Sequence, residues 1–148
     1  MTTLYSRVPT SITADSSTDV LSGSSQQLPM IVNSKTFTDT LNSLPDTSEW
    51  IIDVETNGLN PYNMNQICGI GLVPLNYKGA EAYYFPFRHQ SEEPNLTQAE
   101  LNELVAFIND KCDTIIGYNV KFDSKFLDNE GINIDKMKLV DVLVMVRM

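Results

Sequence analysis

Two carboxylates stand at the end of an apolar segment that reads as a buried strand. Asp53 and Glu55 lie within WIIDVETNGLNP, residues 50–61, just before the turn signal Asn57-Gly58. Side chains alternate across a strand, so both acids point to one face at the carboxyl end, where α/β proteins build their sites. Like charges so close repel each other unless a proton or a cation neutralises them, and paired oxygens suit Mg²⁺ or Mn²⁺. The pair alone favours the alternative, an edge strand whose acidic face is solvated.

A second polar cluster occupies a predicted strand-to-helix junction. In GYNVKFDSKFLDNEG, residues 117–131, Asn119 ends a buried strand and opens a helix, and Asp123 follows one helical turn later. If the two strands are neighbours, Asp123 joins Asp53 and Glu55, and three carboxylates converge. The alternative is that Asn119 is a helix cap and that the negative charge of Asp123 interacts favourably with the helix dipole. The residues of this stretch leave both interpretations open.

Hydrophobic periodicity, capping residues and turn signals predict the elements that position these residues. They are a helix capped by Ser34 and ended by Pro45, strands over residues 50–55, 66–73 and 81–87, a helix opened by the capping box Thr97–Glu100, a strand over 114–118, a helix from Asn119 to Gly131, and a helix begun by Asp141. The first three strands read as an antiparallel meander. The order β-β-β-α-β-α predicts an α/β fold with a mixed sheet flanked by helices.

Length and composition indicate one domain with an acidic surface. The chain has 148 residues, 42% of them hydrophobic, and residues 1–28 form a Ser/Thr-rich segment that we expect to be a disordered leader before a domain at 29–148. With 19 acidic and 10 basic residues, the net charge of −9 excludes a broad cationic surface for phosphate backbones. Nucleic-acid binding would therefore need divalent cations or a basic neighbouring domain. Cys68 and Cys112 read as reduced thiols, and no apolar run is long enough to span a membrane.

The two acidic stretches together resemble a known family. DVETNGLNP resembles the first exonuclease motif (D-x-E-T-x-G-L) of the DEDD superfamily, and GYNVKFDSKFL resembles the second (N-x-x-[FY]-D). Over residues 30–148 the chain is similar to the 3′-5′ proofreading domains of family A DNA polymerases, the bacterial DNA polymerase I type that phages also carry. The resemblance implies a ribonuclease H-like fold. It also implies hydrolysis of the terminal phosphodiester at the 3′ end of a single DNA strand by two Mg²⁺ or Mn²⁺ ions.

The resemblance implies roles by motif position. Asp53 would bridge both metals, Glu55 would bind the first metal and help to orient the attacking water, and Asp123 would serve the second metal. The residues that would contact the last nucleotides are Thr56, Leu59, Asn119 and Phe122. Leu59 has an alternative role as an ordinary anchor of its turn.

One departure from the family concerns its third motif, Y-x-x-x-D or H-x-x-x-D, which no stretch of the chain matches. We expect Asp141 to cap a helix and not to replace the missing metal ligand. We therefore expect a C-terminally incomplete exonuclease domain that is inactive as written. We also expect a polymerase domain to follow it in the full-length protein, and a cytoplasmic location in a bacterium or a phage-infected cell. Two alternatives stay open: an RNA-trimming ribonuclease of the same superfamily, or a non-catalytic nucleic-acid-binding or scaffolding module with this fold.

Several residues with chemical potential are interpreted as structural. His89 has no partner carboxylate at a fixed spacing and reads as a surface residue away from the motifs. Asp128 and Asp135 read as solvated acids. The aromatic residues predicted to pack in the core, since aromatics in a strand usually do, are Tyr83, Tyr84, Phe85 and Phe87.

Overall fold

The computed structural model describes residues 28–75, 78, 81–91 and 94–148. Of the leader expected over residues 1–28, only Leu28 is among them. The disorder of that segment, and the boundary between leader and domain, therefore remain predictions.

The described residues form a mixed sheet with helices packed on it. In chain order the elements are β1 (Met30–Ile31), α1 (Phe37–Ser43), β2 (Glu49–Thr56), β3 (Ile67–Pro74), β4 (Tyr83–Pro86), α2 (Gln98–Lys111), β5 (Thr114–Gly117), α3 (Val120–Asn129), a 3₁₀ turn (Ile134–Lys136), β6 (Lys138–Asp141) and α4 (Val142–Val146). None of the helices in these described ranges is long and apolar enough to cross a bilayer.

The sheet combines an antiparallel meander with parallel strands, as predicted. Its order is β1-β4-β3-β2-β5-β6. The pairs β2–β3 and β3–β4 are antiparallel, whereas β5 runs parallel to β2, β6 parallel to β5, and β1 parallel to β4. The parallel pairing of β2 with β5 places the carboxyl ends of these two strands at the same edge of the sheet.

Three sequence-based predictions about elements were wrong or incomplete. Strands β1 and β6 were missed because β1 has only two residues and β6, KLVD, runs directly into the apolar helix that follows it. The N-cap position of helix α1 is held by Thr36 and not by Ser34, and the Thr36 side chain makes no capping hydrogen bond. The hydroxyl of Ser34 instead donates to Glu100 at 3.0 Å, which connects this turn to helix α2.

The inner face of β2 explains why this strand forms. Trp50, Ile52 and Val54 alternate into a core that β3, α2 and α3 complete, and each is at least nine-tenths buried. Residues one position off, including Asp53 and Glu55, lie on the exposed opposite face. Strand alternation thus separates a core-forming face of β2 from an acidic one.

The two long helices carry the end signals that their sequences predicted. The hydroxyl of Thr97 accepts from the backbone N–H of Glu100 at 3.2 Å, and the Glu100 carboxylate accepts from the backbone N–H of Thr97 at 2.7 Å. At the end of α3, Gly131 has φ 97°, and its N–H donates to the carbonyl of Asp128. The N–H of the buried Ile132 donates to the carbonyl of Leu127, which completes a Schellman ending.

We expect the Thr97→Ala substitution to lower the free energy of unfolding by about 1 kcal/mol, because it leaves a backbone N–H of α2 without its hydroxyl acceptor. Urea unfolding measures the loss as a lower midpoint at an unchanged slope. Thr97→Ser keeps the hydroxyl and serves as the control, so equal losses in both variants would contradict a capping role.

Candidate functional site

The acidic face of β2 lies beside a trough made by two glycines. In the antiparallel pairing of β2 with β3, Asp53 stands opposite Gly71 and Glu55 opposite Gly69. Directly opposed residues share a face, so Gly71 leaves open space next to Asp53, whereas the phenol of Tyr84 fills the space over Gly69 next to Glu55. The register shifts between Glu55 and Thr56, a bulge of the kind that re-aims side chains beside functional sites.

Asp123 connects the β5–α3 segment to the acidic end of β2. Its side chain is 3% exposed, and its Oδ1 accepts a hydrogen bond from the backbone N–H of Val54 at 3.0 Å. Val54 is the residue between Asp53 and Glu55, so this bond fixes the Asp123 carboxylate against the acidic end of β2. The sequence predicted this proximity only if β2 and β5 are neighbouring strands. The two strands are paired in the sheet.

Close packing at Gly117 allows α3 to begin so near β2. A Cβ at this position would lie 3.2 Å from the carbonyl oxygen of Ile52 and 3.4 Å from a methyl group of Val120. The absence of a side chain at Gly117 therefore lets the first turn of α3, which carries Asp123, come down over the carboxyl end of β2.

Burial and, to a smaller extent, neighbouring acids raise the pKa values of Asp123 and Asp53. Burial raises the pKa of Asp123 to about 6, with smaller contributions from the negative charges of Asp53 and Asp141, while the Val54 hydrogen bond opposes the shift. Partial desolvation, followed by the charge of Glu55, raises the pKa of Asp53. Asp123, Asp53 and Glu55 thus form a continuous set of repelling carboxylates that a cation would stabilise.

These carboxylates suit an ion that is shared with a substrate better than a closed metal cage. Within the described ranges, no three or more His, Cys, Asp or Glu side chains are grouped so that they could hold a metal ion by themselves. Mg²⁺, however, is commonly bound through one or two carboxylates, with waters and substrate phosphate oxygens filling its octahedron. The oxygen donors of Asp53, Glu55 and Asp123 fit that chemistry, and their ligand roles remain predictions.

Thr56 and Leu59, two residues predicted to contact the substrate, lie in different environments at the turn after β2. The hydroxyl of Thr56 donates to the carbonyl of Gly58 at 2.6 Å, which fixes the start of the turn. Leu59 is 84% exposed, so it does not anchor the turn in the core. An exposed leucine beside a carboxylate cluster is available to a ligand.

The β5–α3 junction holds the other two predicted substrate residues. Asn119 occupies the predicted N-cap position of α3 with φ 58° and ψ 46°, in the left-handed region that asparagine tolerates, but its side chain makes no capping hydrogen bond. Its N–H donates to Oδ1 of Asp141 at 2.9 Å, and the same oxygen accepts from the N–H of Leu143, so Asp141 caps α4 as expected. Phe122 is half-buried with its ring 5.0 Å from that of Phe126, so it also contributes to packing.

Tyr84 and His89 were missed by the sequence analysis. Tyr84 is not a core residue: it lies on the acidic face, and its hydroxyl donates to Oε2 of Glu55 at 2.7 Å. His89 is not remote from the motifs, since its Nε2 lies 2.8 Å from the same hydroxyl. Phe85 and Phe87 are buried as predicted, and their period-2 alternation with Tyr84 is the signal that could have placed the tyrosine outside.

Burial, and then the hydrogen bond to Glu55, raise the pKa of Tyr84. The phenol therefore stays protonated at neutral pH and acts as a hydrogen-bond donor to the carboxylate. This bond supports the Glu55 side chain, which is otherwise 60% exposed.

Comparison with known families identifies the chain. The family model of the 3′-5′ exonuclease of the DNA polymerase A type matches residues 28–147. The chain belongs to this 3′-5′ exonuclease family. The resemblance of its two acidic motifs to the DEDD superfamily agrees with that match.

Two proteins that are similar to this chain are both longer than it. It is 32% identical over 98 residues to a DNA polymerase I of Borreliella burgdorferi, a match that covers 64% of this chain but only 10% of that polymerase. Its fold is similar to the crystal structure of the Nibbler EXO domain of Aedes aegypti, with a TM-score of 0.52 at 14% identity. That alignment covers 80% of this chain and 54% of the other, and it supports the ribonuclease H-like fold predicted from the motifs.

We expect Asp123 to make the stability of the domain fall as the pH rises. Its pKa of about 6 in the folded state lies above the ordinary value of 3.8, so the folded chain holds the proton more tightly. The stability from this group is fully present below pH 3.8 and is lost as the pH rises through about 6. Linkage then gives Asp123→Asn up to about 3 kcal/mol more stability than the wild type above this window.

Urea unfolding at several pH values without divalent ions measures this difference. Asparagine can still accept the Val54 hydrogen bond, so the comparison isolates the charge. Asp128→Asn, an exposed acid on the same helix, is the matched control. A wild-type curve parallel to that of Asp123→Asn across the window would contradict the raised pKa.

Proposed function

We propose that residues 29–148 form a metal-dependent 3′-5′ exonuclease domain that hydrolyses the terminal phosphodiester at the 3′ end of a DNA strand. In this proposal the domain proofreads for a polymerase domain that follows it in a longer protein. The observation that carries the proposal is the 3.0 Å hydrogen bond from the Val54 N–H to Asp123. It joins the two motif segments at one edge of the sheet.

The carboxylates would divide the work by position. Asp53, in the middle of the set, would bridge two ions, Glu55 would hold the first ion and orient the attacking water, and Asp123 would serve the second through the oxygen that Val54 leaves free. When bound, Mg²⁺ or Mn²⁺ would lower the pKa of the attacking water and stabilise the charges on the attacking and leaving oxygens. Such cations would also offset the net charge of −9, which opposes the approach of a phosphate.

The substrate strand would be held beside the carboxylates by the turn after β2 and by the start of α3. Leu59 would press against the terminal bases, and Asn119 and Phe122 would line the other side, with Thr56 near the last phosphate. The exposure of Leu59 and the half-exposed ring of Phe122 support these contacts. DNA as the substrate, in preference to RNA, is supported by the similarity to a DNA polymerase I.

The first test is whether divalent ions bind the acidic edge. We expect Mn²⁺ to stabilise the wild-type chain, by about 2.7 kcal/mol at a free concentration one hundred times the dissociation constant. Asp53→Asn should remove this stabilisation, because it removes the shared ligand. Thermal unfolding with and without Mn²⁺ measures the effect, with Asp128→Asn as the charge-matched control. An unfolding temperature of the wild type that does not change on addition of Mn²⁺ would overturn the proposal.

Hydrolysis is the second readout of the same proposal. No stretch of the chain matches the third motif, so we expect release of 3′-terminal nucleotides by this chain to be slow or absent. Any release should depend on Mn²⁺ and disappear in Asp53→Asn. Parallel assays on single-stranded DNA and RNA of one sequence decide the substrate, and preferential trimming of RNA would favour a ribonuclease of the same superfamily.

We expect Leu59→Ala to weaken binding of a single-stranded DNA 3′ end without destabilising the fold. The side chain is 84% exposed, so the free energy of unfolding should change by less than about 0.5 kcal/mol. Loss of its contact with a base should cost roughly 1–2 kcal/mol, about 5- to 30-fold in affinity. Fluorescence anisotropy with a labelled oligonucleotide measures the affinity. Leu28→Ala, at an equally exposed leucine beside β1, is the control, and equal affinities of the two variants would refute the contact.

A further inference from the structure

A hydrogen-bonded chain of three side chains ends on Glu55. The Tyr84 hydroxyl lies 2.7 Å from Oε2 of Glu55 and 2.8 Å from Nε2 of His89. His89 Nε2 and Glu55 Oε2 are 4.0 Å apart, which is too long for a hydrogen bond. The tyrosine hydroxyl therefore connects the imidazole to the carboxylate.

A missing side chain on β3 makes this contact possible. Tyr84 lies on β4 and Glu55 on β2, with β3 between them. The phenol ring of Tyr84 crosses directly over Gly69, where a Cβ atom would collide with the ring and its hydroxyl. Glycine at this position is therefore required for the phenol to reach the carboxylate.

The backbone on both sides of His89 is held in place. Arg88 has φ 50°, and its guanidinium donates to both carboxylate oxygens of Glu130, at 2.6 and 3.2 Å, and to the carbonyl of Ile67. The N–H of His89 donates to Oδ1 of Asn95 at 2.8 Å, and the Asn95 amide donates back to the His89 carbonyl at 2.9 Å. The imidazole thus reaches the tyrosine from a fixed turn.

Counting protons assigns the donors in this chain. A phenol has one proton, and the Glu55 carboxylate can only accept, so Tyr84 donates to Glu55. The contact between His89 and Tyr84 then requires the proton on Nε2 of the imidazole. In this arrangement Oε2 of Glu55 is engaged, and Oε1 is left for an ion or a water.

We propose that Tyr84 and His89 are positioning residues that orient Glu55 for metal binding, with His89 held as the Nε2–H tautomer. This inference rests on the proposed function for the role of Glu55, whereas the tautomer follows from the contacts alone. Hydrogen-bonded partners of metal-ligating groups commonly set their orientation and affinity.

The tautomer can be read directly, because His89 is the only histidine in the sequence. Long-range ¹H–¹⁵N spectra of the ¹⁵N-labelled chain, recorded about two units above the ordinary histidine pKa of ~6.5, show which nitrogen carries the proton. We expect the Nε2–H form in the wild type and a shift towards a mixture of tautomers in Tyr84→Phe, which keeps the ring but removes the hydroxyl. A dominant Nδ1–H form in the wild type would overturn the assignment.

The positioning role is tested by the affinity for Mn²⁺ alone, measured by calorimetry. We expect about a tenfold loss in Tyr84→Phe, at an unchanged unfolding temperature, and no loss in Tyr62→Phe, the same change at an exposed tyrosine. His89→Leu should lose affinity, whereas His89→Gln, which keeps an N–H donor, should recover part of it.

The outcomes separate this inference from the proposed function. A wild type that binds Mn²⁺, with Tyr84→Phe binding it equally well, overturns the positioning role and leaves the proposed function standing. A wild type that binds no Mn²⁺ overturns the proposed function and, with it, the positioning role. The tautomer of His89 then still decides whether the hydrogen-bonded chain exists.

Discussion

The parallel pairing of β5 with β2 is the constraint on which the rest of the structure depends. It brings the carboxyl end of β5, and hence the first turn of α3, to the carboxyl end of β2. Only then can Asp123 accept the hydrogen bond from Val54 that unites residues 69 positions apart in the sequence. If β5 paired elsewhere, Asp53 and Glu55 would be a solvated acidic pair and Asp123 an ordinary first-turn acid of a helix.

Burial of Asp123 beside other acids lowers the stability of the fold when no cation is bound. A hydrogen bond to a charged group typically contributes about 1.5–3 kcal/mol, yet the pKa of Asp123 still lies above its ordinary value. Desolvation and repulsion by neighbouring acids therefore outweigh the Val54 hydrogen bond. A chain that buries a carboxylate against others in this way gains more from a bound cation than a chain with dispersed surface acids does. The charged form of the acidic edge thus opposes folding unless a cation neutralises it, a cost that functional sites often carry.

The sequence predicted the positions of the acidic residues better than the contacts that support them. Period-2 alternation placed Asp53 and Glu55 on one face, and the capping signals placed Asp123 one turn into α3. The sequence did not reveal that Tyr84 contacts Glu55, because that contact depends on the register of three strands and on the absence of a side chain at Gly69. The contact of His89 with Tyr84 was missed as well, because the turn at Arg88 determines which residue the imidazole reaches. Strand β6 was missed because tertiary pairing with β5, and not its own four residues, makes it a strand.

Glu55 and Asp123 show two ways of fixing a carboxylate at one edge of a sheet. Asp123 is 3% exposed and is held by the backbone and by close packing, so its position is set at the expense of a raised pKa. Glu55 has a side chain that is 60% exposed and keeps its hydration, so packing cannot orient it. A donor reaching across the glycine trough can orient it without burying it. This difference explains why an exposed acid needs Tyr84 and His89, while the buried acid needs only the N–H of Val54.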